Sequence, residues 1–200
     1  MAIDEILLDS TAMPILRFYR WSEPAVSFGY FGKMADAEEF AGDKALVRRW
    51  TGGGMVPHGD DVTYSIVIGS NEAAFGLSSP TIYRQIHFAI KHAFGAMGIQ
   101  ARLVVAKMPK TSEACFVSPV VADLIENGRK VAGAAQRRTR RGLLHQGSIQ
   151  REGLGKEFRT RMAEALSERI LKEPISASAL ASATALAAQK YATEAWLRRR

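Results

Sequence analysis

Residues 120–150 constrain the fold more tightly than any other part of the chain. Three strand-like stretches, VADLIENG, RKVAGAAQRR and GLLHQGSIQ, follow one another almost without a break. The first two meet at Asn127-Gly128, a pair that supplies the left-handed backbone a tight hairpin requires. So short a link makes the flanking strands pair antiparallel. The chain therefore builds a sheet, and its other segments have to cover it.

Those segments change period along the chain. Residues 3–13 (IDEILLDSTAM) carry apolar side chains at helical spacing up to Pro14. ILRFYRW (15–21) and AVSFGYF (25–31) are β-rich runs around Ser22-Glu23-Pro24, and they read as a strand pair. A short helix over 35–43 closes at Gly42. A strand over 45–50 enters Thr51-Gly52-Gly53-Gly54, and 62–69 alternates as a half-buried strand. Residues 80–98 open with Pro80 and end at Gly98, the polarity of a helix, with Ile82, Ile86, Ile90 and Phe94 on one face. A strand at 101–105 follows. Beyond 151, EFRTRMAEALSERIL and the Ala-rich run 177–197 predict helices. The expected fold is α+β: a mixed or antiparallel β-sheet with helices packed on one side, and a helical C-terminal tail. Two units are expected, a main domain over 1–151 and a helical extension over 152–200.

Composition narrows the classes. At 200 residues, 47% hydrophobic and 24% charged, the chain buries a core of its own and needs no disulfide or metal staple. No run approaches ~18 uninterrupted apolar residues, so no membrane span is expected. The start, MAIDEILLDS, has acids where a signal peptide needs basic and then apolar residues, which points to the cytoplasm. The net charge of +7 sits largely in Arg137-Arg138-Thr139-Arg140-Arg141 and the terminal arginines. Neither cluster is interleaved with aromatic residues, so nucleic acid is not the expected partner. The one cysteine, Cys115, excludes an internal disulfide and any multi-cysteine metal site.

Three segments carry candidate chemistry. In Arg48-Arg49-Trp50-Thr51-Gly52-Gly53-Gly54-Met55-Val56-Pro57-His58, consecutive glycines let backbone N–H groups approach a ligand with no Cβ in the way. The arginines and His58 add donors suited to a carboxylate or phosphate. A tight turn with solvated arginines would explain the glycines alone, but the combination favours a ligand site. Lys130, just past the Asn-Gly turn and followed by small residues through Gly133, either lies against a ligand or is solvated. Cys115, in a loop bearing Ser and Pro, is either a nucleophile or an inert thiol, because only the thiolate reacts. His87 and His92 are five apart and share no helix face, which excludes an i,i+4 metal pair. His58 and His145, beside glycine-bearing segments, are the better site candidates.

Taken in order, AIDEILL, PILRFYRWSEPAVSFGYF, RRWTGGGMVPHGDDVTYSI, CFVSP, DLIENGRKVAGAAQRR and GLLHQGSI resemble the lipoate/octanoate–protein ligase and transferase superfamily. That superfamily is related in fold to biotin–protein ligases, and the resemblance covers about residues 2–151. It implies an acyl-binding catalytic domain there, in an enzyme that joins an eight-carbon acyl group, octanoyl or lipoyl, to a lysine of an acceptor domain. At matching positions, Arg48, Arg49, Gly52, Gly53, Gly54, His58 and Lys130 would surround the acyl chain and its activated carbonyl. Asp123, Gly133 and His145 complete the expected substrate-binding set.

Two chemistries occur in the superfamily. Cysteine-dependent octanoyltransferases take the acyl group from a thioester on acyl carrier protein, or from another lipoyl protein, through a cysteine in a CF-x-x-P block. Cys115-Phe116-Val117-Ser118-Pro119 looks like that block. The resemblance thus implies Cys115 as nucleophile, Lys130 lowering its pKa and polarising the acyl carbonyl, a lipoyl-type acceptor domain, and no cofactor. The alternative is an ATP-dependent lipoate–protein ligase using ATP and Mg through a lipoyl-adenylate. Asp123 stands where such ligases carry aspartate and the transferases glutamate. Ligases that adenylate by themselves carry an extra C-terminal domain, for which the fifty residues 151–200 are too short, so the ligase alternative implies a separate small accessory protein.

Overall fold

The computed structural model describes residues 1–106 and 119–199. Helix α1 (Ala2–Ser10) leads to strands β1 (Ile15–Tyr19) and β2 (Ala25–Phe28). Helix α2 (Met34–Ala41), ended by Gly42 at φ +58°, precedes β3 (Ala45–Arg48), β4 (Val56–His58) and β5 (Val62–Gly69). Helix α3 (Ser79–Ala96) follows, with the Ser78 hydroxyl capping Thr81 N–H and proline in the first turn. Next come β6 (Arg102–Leu103), β7 (Leu124–Glu126), β8 (Arg129–Arg138) and β9 (Gly142–Ile149). Helices α4 (Lys156–Leu166), α5 (Ala177–Leu186) and α6 (Glu194–Leu197) end the described chain.

The hairpin at Asn127-Gly128 forms with both residues at positive φ. It sits inside a six-stranded sheet of order β1-β5-β9-β8-β7-β6, antiparallel at every step. A second sheet has the order β3-β2-β4, with β2 and β3 parallel and β2 and β4 antiparallel. The 15–21 and 25–31 runs are therefore not a strand pair. β1 pairs with β5 from Ile15↔Val67 to Tyr19↔Thr63, while β2 joins β3 and β4 in the other sheet. Apolar content decides that a segment is extended; its partner is chosen by the tertiary packing.

Helices cover both faces of the large sheet, not one. On the first face Tyr64, Ile66 and Ile68 pack with Ile82, Ile86, Ile90 and Phe94 of α3 and Phe158 and Met162 of α4. Each such fully buried side chain is worth roughly 1.5–3 kcal/mol. On the other face Val67 and Leu144 meet Leu7 and Leu8 of α1. β5 and β9 are consequently buried along their whole length, where the alternation of 62–69 suggested half-burial for β5. Helix α4, within the 152–200 segment, thus belongs to the main core. Helix α5 packs on α1, and Lys190 and Tyr191 both bond to Glu5. The 177–197 run is not one helix: it widens over Ala187–Tyr191 and restarts at Thr193, whose hydroxyl caps α6. That turn brings Trp196 Nε1 to the Arg48 carbonyl at 3.1 Å.

Candidate active site

The two sheets face each other across a narrow cleft lined by Trp21, Ser27, Arg49, His58, Gly133 and Ser148. Its floor is a row of paired residues crossing the large sheet, Tyr19↔Thr63↔Ser148↔Gly133. The next row, Arg17↔Ser65↔Gln146↔Ala135, runs parallel to it. Side chains alternate across a strand, so these polar residues share the face opposite the apolar core.

One end of the cleft is built on His58. Its Nδ1 lies 2.9 Å from Asp61 Oδ2, its Nε2 lies 2.6 Å from Ser27 Oγ, and its ring stacks on Trp21 at 4.2 Å between centroids. Asp61 also accepts from Thr63 Oγ1 at 2.9 Å and Ser148 Oγ at 2.6 Å. Burial alone would push the Asp61 carboxyl up, but these hydrogen bonds outweigh it and hold the group below the usual carboxylate range. Trp21 Nε1 donates to Thr63 Oγ1 at 2.9 Å. The Ser27–His58–Asp61 spacing matches a nucleophile, base and orienter. Ser27 Oγ also accepts from Arg49 Nη1 at 2.7 Å, and all four groups are buried. The set works as a cross-linked wall.

Arg49 extends that wall to the glycines, donating to Gly52 O at 3.0 Å and Gly54 O at 2.7 Å. The loop lies so close to β2 that a Cβ at Gly29 would stand 2.0 Å from Gly53 O, and Gly53 itself has φ +86°. Thr51 Oγ1 donates to Gln146 Oε1 at 2.9 Å, and Gln146 Nε2 donates to Asp4 Oδ2 at 2.6 Å. Both sheets therefore hold the loop.

Behind Gly133, at the other end of the cleft, lies the buried Lys130. Its Nζ lies 2.7 Å from Asp123 Oδ2, with both side chains almost wholly buried. Asp123 also accepts from the Tyr83 hydroxyl and from Val120 N–H at 2.7 Å. Burial, then the Asp123 charge, pushes the Tyr83 hydroxyl well above its usual range and keeps it a donor. Tyr83 in turn accepts from Ala134 N–H at 2.9 Å. Gly133 makes the room: a Cβ there would meet Lys130 Nζ at 2.6 Å. A buried ammonium beside a cleft is suited to stabilising an oxyanion.

Of the residues singled out from sequence, Arg49, His58 and Gly133 line the cleft, Lys130 and Asp123 stand at Gly133, and Gly52 to Gly54 are anchored through Arg49. Arg48 and His145 lie elsewhere. The Arg48 guanidinium binds the carbonyls of Tyr30, Gly32, Leu197 and Arg199, stitching α6 to the small sheet. Neighbours in an extended chain point to opposite sides, so only one of two adjacent arginines reaches the cleft. His145 is on the α3 face, with Nε2 3.1 Å from Tyr64 OH and Nδ1 3.0 Å from Gln136 Nε2. Cys115 lies outside the described residues. Sequence reasoning missed Trp21, Ser27, Asp61 and Tyr83. The alternate polar residues Thr63 and Ser65, and Gln146 and Ser148, inside two otherwise apolar strands were the available signal.

The family model that matches is the lipoyl protein ligase A/B catalytic domain, over residues 1–189. The chain belongs to this family. Within it, the octanoyltransferase LipM of Oceanobacillus iheyensis is 39% identical over 158 residues, covering 74% of this chain and 58% of that protein. LipM of Geobacillus kaustophilus is 35% identical over 168 residues, covering 74% and 59%. The chain thus spans less than two thirds of the length of these relatives. Among solved structures, lipoate-protein ligase A bound with ATP superposes with TM-score 0.78 at 22% identity, covering 98% of this chain and 92% of that one. A lipoate protein ligase from T. acidophilum with bound lipoic acid gives 0.77 at 22%, covering 98% and 91%. At that identity the likeness speaks for the fold, a lipoyl ligase A/B catalytic fold with a mixed set of sheets and helices.

Proposed function

We propose that this lipoyl ligase A/B catalytic domain transfers an octanoyl, or lipoyl, group from an acyl-protein thioester to a lysine of a lipoyl-type acceptor domain. The Cys115 thiolate attacks the thioester carbonyl and expels the donor's thiol, leaving an acyl-enzyme thioester. The acceptor amine then attacks that carbonyl, an amide forms, and Cys115 is released. Both steps pass through an oxyanion that the Lys130 ammonium stabilises. Neither needs ATP, because one thioester is exchanged for another before the amide forms. The observation that carries this reading is Lys130, paired with Asp123 at Gly133 on the floor of the cleft, in a chain 32–39% identical to LipM octanoyltransferases.

The donor on this reading is acyl carrier protein or a lipoyl protein, and the place of work is the cytoplasm. Of the described residues, no helix is long and apolar enough to cross a membrane. Arg140 is exposed, and Arg138 and Arg141 are exposed beside it although the first is bonded to the Phe75 and Leu77 carbonyls and the second to Asp9; positive charge on such a surface steers an acidic partner. Arg137 is less available, since its guanidinium lies over the rings of Trp50 and Tyr30. The T. acidophilum ligase described with its E2 lipoyl domain is bi-partite. A ligase reading of this chain would likewise bring in an accessory subunit, together with ATP and Mg.

The test is intact-mass measurement of the protein mixed with octanoyl-acyl carrier protein in the absence of ATP, beside a Cys115→Ser control. The expected result is an octanoyl adduct that hydroxylamine removes and the variant lacks. No adduct, with modification of a lipoyl domain only when lipoate and ATP are supplied, would replace the transferase by the ligase.

A further inference from the structure

Lys130 reaches Gly133 through an irregularity in the large sheet. On a regular strand, residues 130 and 133 would point to opposite faces. β7 and β8 pair at Ile125↔Lys130 and next at Leu124↔Ala132, so Val131 is an extra residue on β8. Such a bulge shifts the alternation and re-aims a side chain. Val131 and Ala132 both turn to the core. The Lys130 ammonium comes to the face of Gly133, where a Cβ would stand 2.6 Å from Nζ. The direction of the ammonium therefore depends on what holds the bulge.

A bulge disrupts its own ladder, and helix α3 supplies a tie across it. The Tyr83 hydroxyl accepts from Ala134 N–H on β8 at 2.9 Å and donates to Oδ1 of Asp123, the residue just before β7. One oxygen thus joins both strands past the bulge. A hydroxyl that accepts a hydrogen bond is polarised into a stronger donor. The other carboxylate oxygen of Asp123 meets Lys130 Nζ at 2.7 Å. One turn along α3, His87 Nδ1 donates to Ala122 O at 2.7 Å, holding a residue whose φ of +71° is uncommon for a side chain with a Cβ. The Tyr83 ring is itself fixed, 4.3 Å from the His87 ring and 5.5 Å from that of His145.

We propose that Tyr83 is a positioning residue for acyl transfer: its hydroxyl clamps β8 to Asp123 across the bulge and so aims the Lys130 ammonium at the reacting carbonyl. This rests on the acyl-transfer reading of the same cleft. Tyr83 is not among the residues that line the cleft, and it acts through Asp123 and Lys130. Without the hydroxyl, Asp123 turns about its remaining bonds and the ammonium follows it. A displacement of about 1 Å at a reacting centre costs up to roughly 100-fold in rate.

Two measurements test the proposal. The first is kcat and KM for octanoyl transfer from acyl carrier protein to a lipoyl domain, in wild type, Tyr83→Phe, Lys130→Met and the double variant. Tyr83→Phe keeps the ring and loses only the hydroxyl. It is expected to lower kcat roughly 10–100-fold and to leave KM within about twofold. Added to Lys130→Met, it is expected to change the rate by less than about twofold, because no ammonium is left to aim. The second reads the ammonium without the chemistry, by magnetic resonance on protein carrying isotope-labelled lysine. The Lys130 signal, identified by its loss in Lys130→Met, is expected to exchange its protons at least about tenfold faster in Tyr83→Phe. Fluorotyrosine incorporated in place of Tyr83 serves should the phenylalanine variant not fold by circular dichroism. Its more acidic hydroxyl is expected to shift the Lys130 signal, and an unmoved signal overturns the clamp.

A folded Tyr83→Phe protein with wild-type kcat, or one whose loss adds in full to that of Lys130→Met, overturns the clamp and leaves acyl transfer standing. Ammonium exchange that quickens in Tyr83→Phe, in a protein whose wild type forms no acyl-enzyme, overturns the transfer chemistry and leaves the clamp. Unchanged exchange with no acyl-enzyme removes both.

Discussion

On one face of β5 and β9, Tyr64, Ile66, Leu143 and Ile149 disappear into the core under α3 and α4. One residue along the same strands, Thr63, Ser65, Gln146 and Ser148 face the cleft and are tied to Asp61, Asp4 and Thr51. Both sets are equally dry. The difference is in how dryness is achieved: by close packing on one side, and by mutual hydrogen bonding on the other. Packing tolerates neither lost volume nor an unpaired charge, whereas a polar network keeps its shape only while every donor and acceptor stays matched. Substitutions on the first face should therefore show up as lost stability, and those on the second as lost chemistry.

The largest effect is expected from Ile90→Ala on the packed face. Ile90 is fully buried beneath the sheet, and removing it should cost about 4 kcal/mol in urea unfolding, with activity per folded molecule unchanged. A large activity loss at full stability would blur the division. Lys130→Met inverts the pattern. Loss of an oxyanion-stabilising group should slow acyl transfer per folded molecule roughly 10²–10³-fold, with a lower Tm as well, because Asp123 is left buried without its cation.

A subtler test concerns two histidines that sit on the packed face. Burial holds His87 at about 4 against its ordinary 6.5. Its Nδ1 donates to Ala122 O at 2.7 Å, and its Nε2 has no partner among the described residues. Burial also keeps His145 well below its ordinary value. Between the two values the unfolded chain takes up a proton that the folded one refuses. The stabilisation is therefore complete above about pH 6.5 and is lost as the pH falls toward 4, about 3 kcal/mol for His87 alone. Denaturant midpoints at pH 7 and 4.5 should show this fall, and His87→Gln should remove its share. Smallest is Asp61→Asn on the cleft face. With Asp61 neutralised, the bond to His58 weakens by roughly 1 kcal/mol. The expected readout is a rise of about fivefold in the KM for the acyl donor, with little change in Tm.

The same contrast explains what the sequence made legible. The α3 stripe Ile82, Ile86, Ile90 and Phe94 and the Asn127-Gly128 turn were readable because each is a local pattern with one physical meaning. The glycine loop and Lys130 were legible only as candidates, since a tight turn and a solvated lysine explain each of them equally well when taken alone. What stayed hidden was pairing. Nothing in ILRFYRW says that its partner is 62–69 and not 25–31, and nothing in Arg48-Arg49 says which guanidinium faces the cleft. His145 and His58 look alike beside their glycines, yet one lies under the sheet and the other above it. Trp21 gives no local signal at all, because its role exists only where β1, β4 and β5 converge.

The ion pair at the base of the cleft has a consequence of range. An isolated ammonium would project its attraction for a full screening length, about 8 Å at physiological salt. Lys130 and Asp123, opposite charges 2.7 Å apart, form a dipole whose field dies away much faster. An anion wandering past the mouth feels little of it, while an oxygen brought into contact feels the ammonium itself. The site is blind at a distance and discriminating at touch, so attraction of partners from afar is left to the arginines on the outer surface.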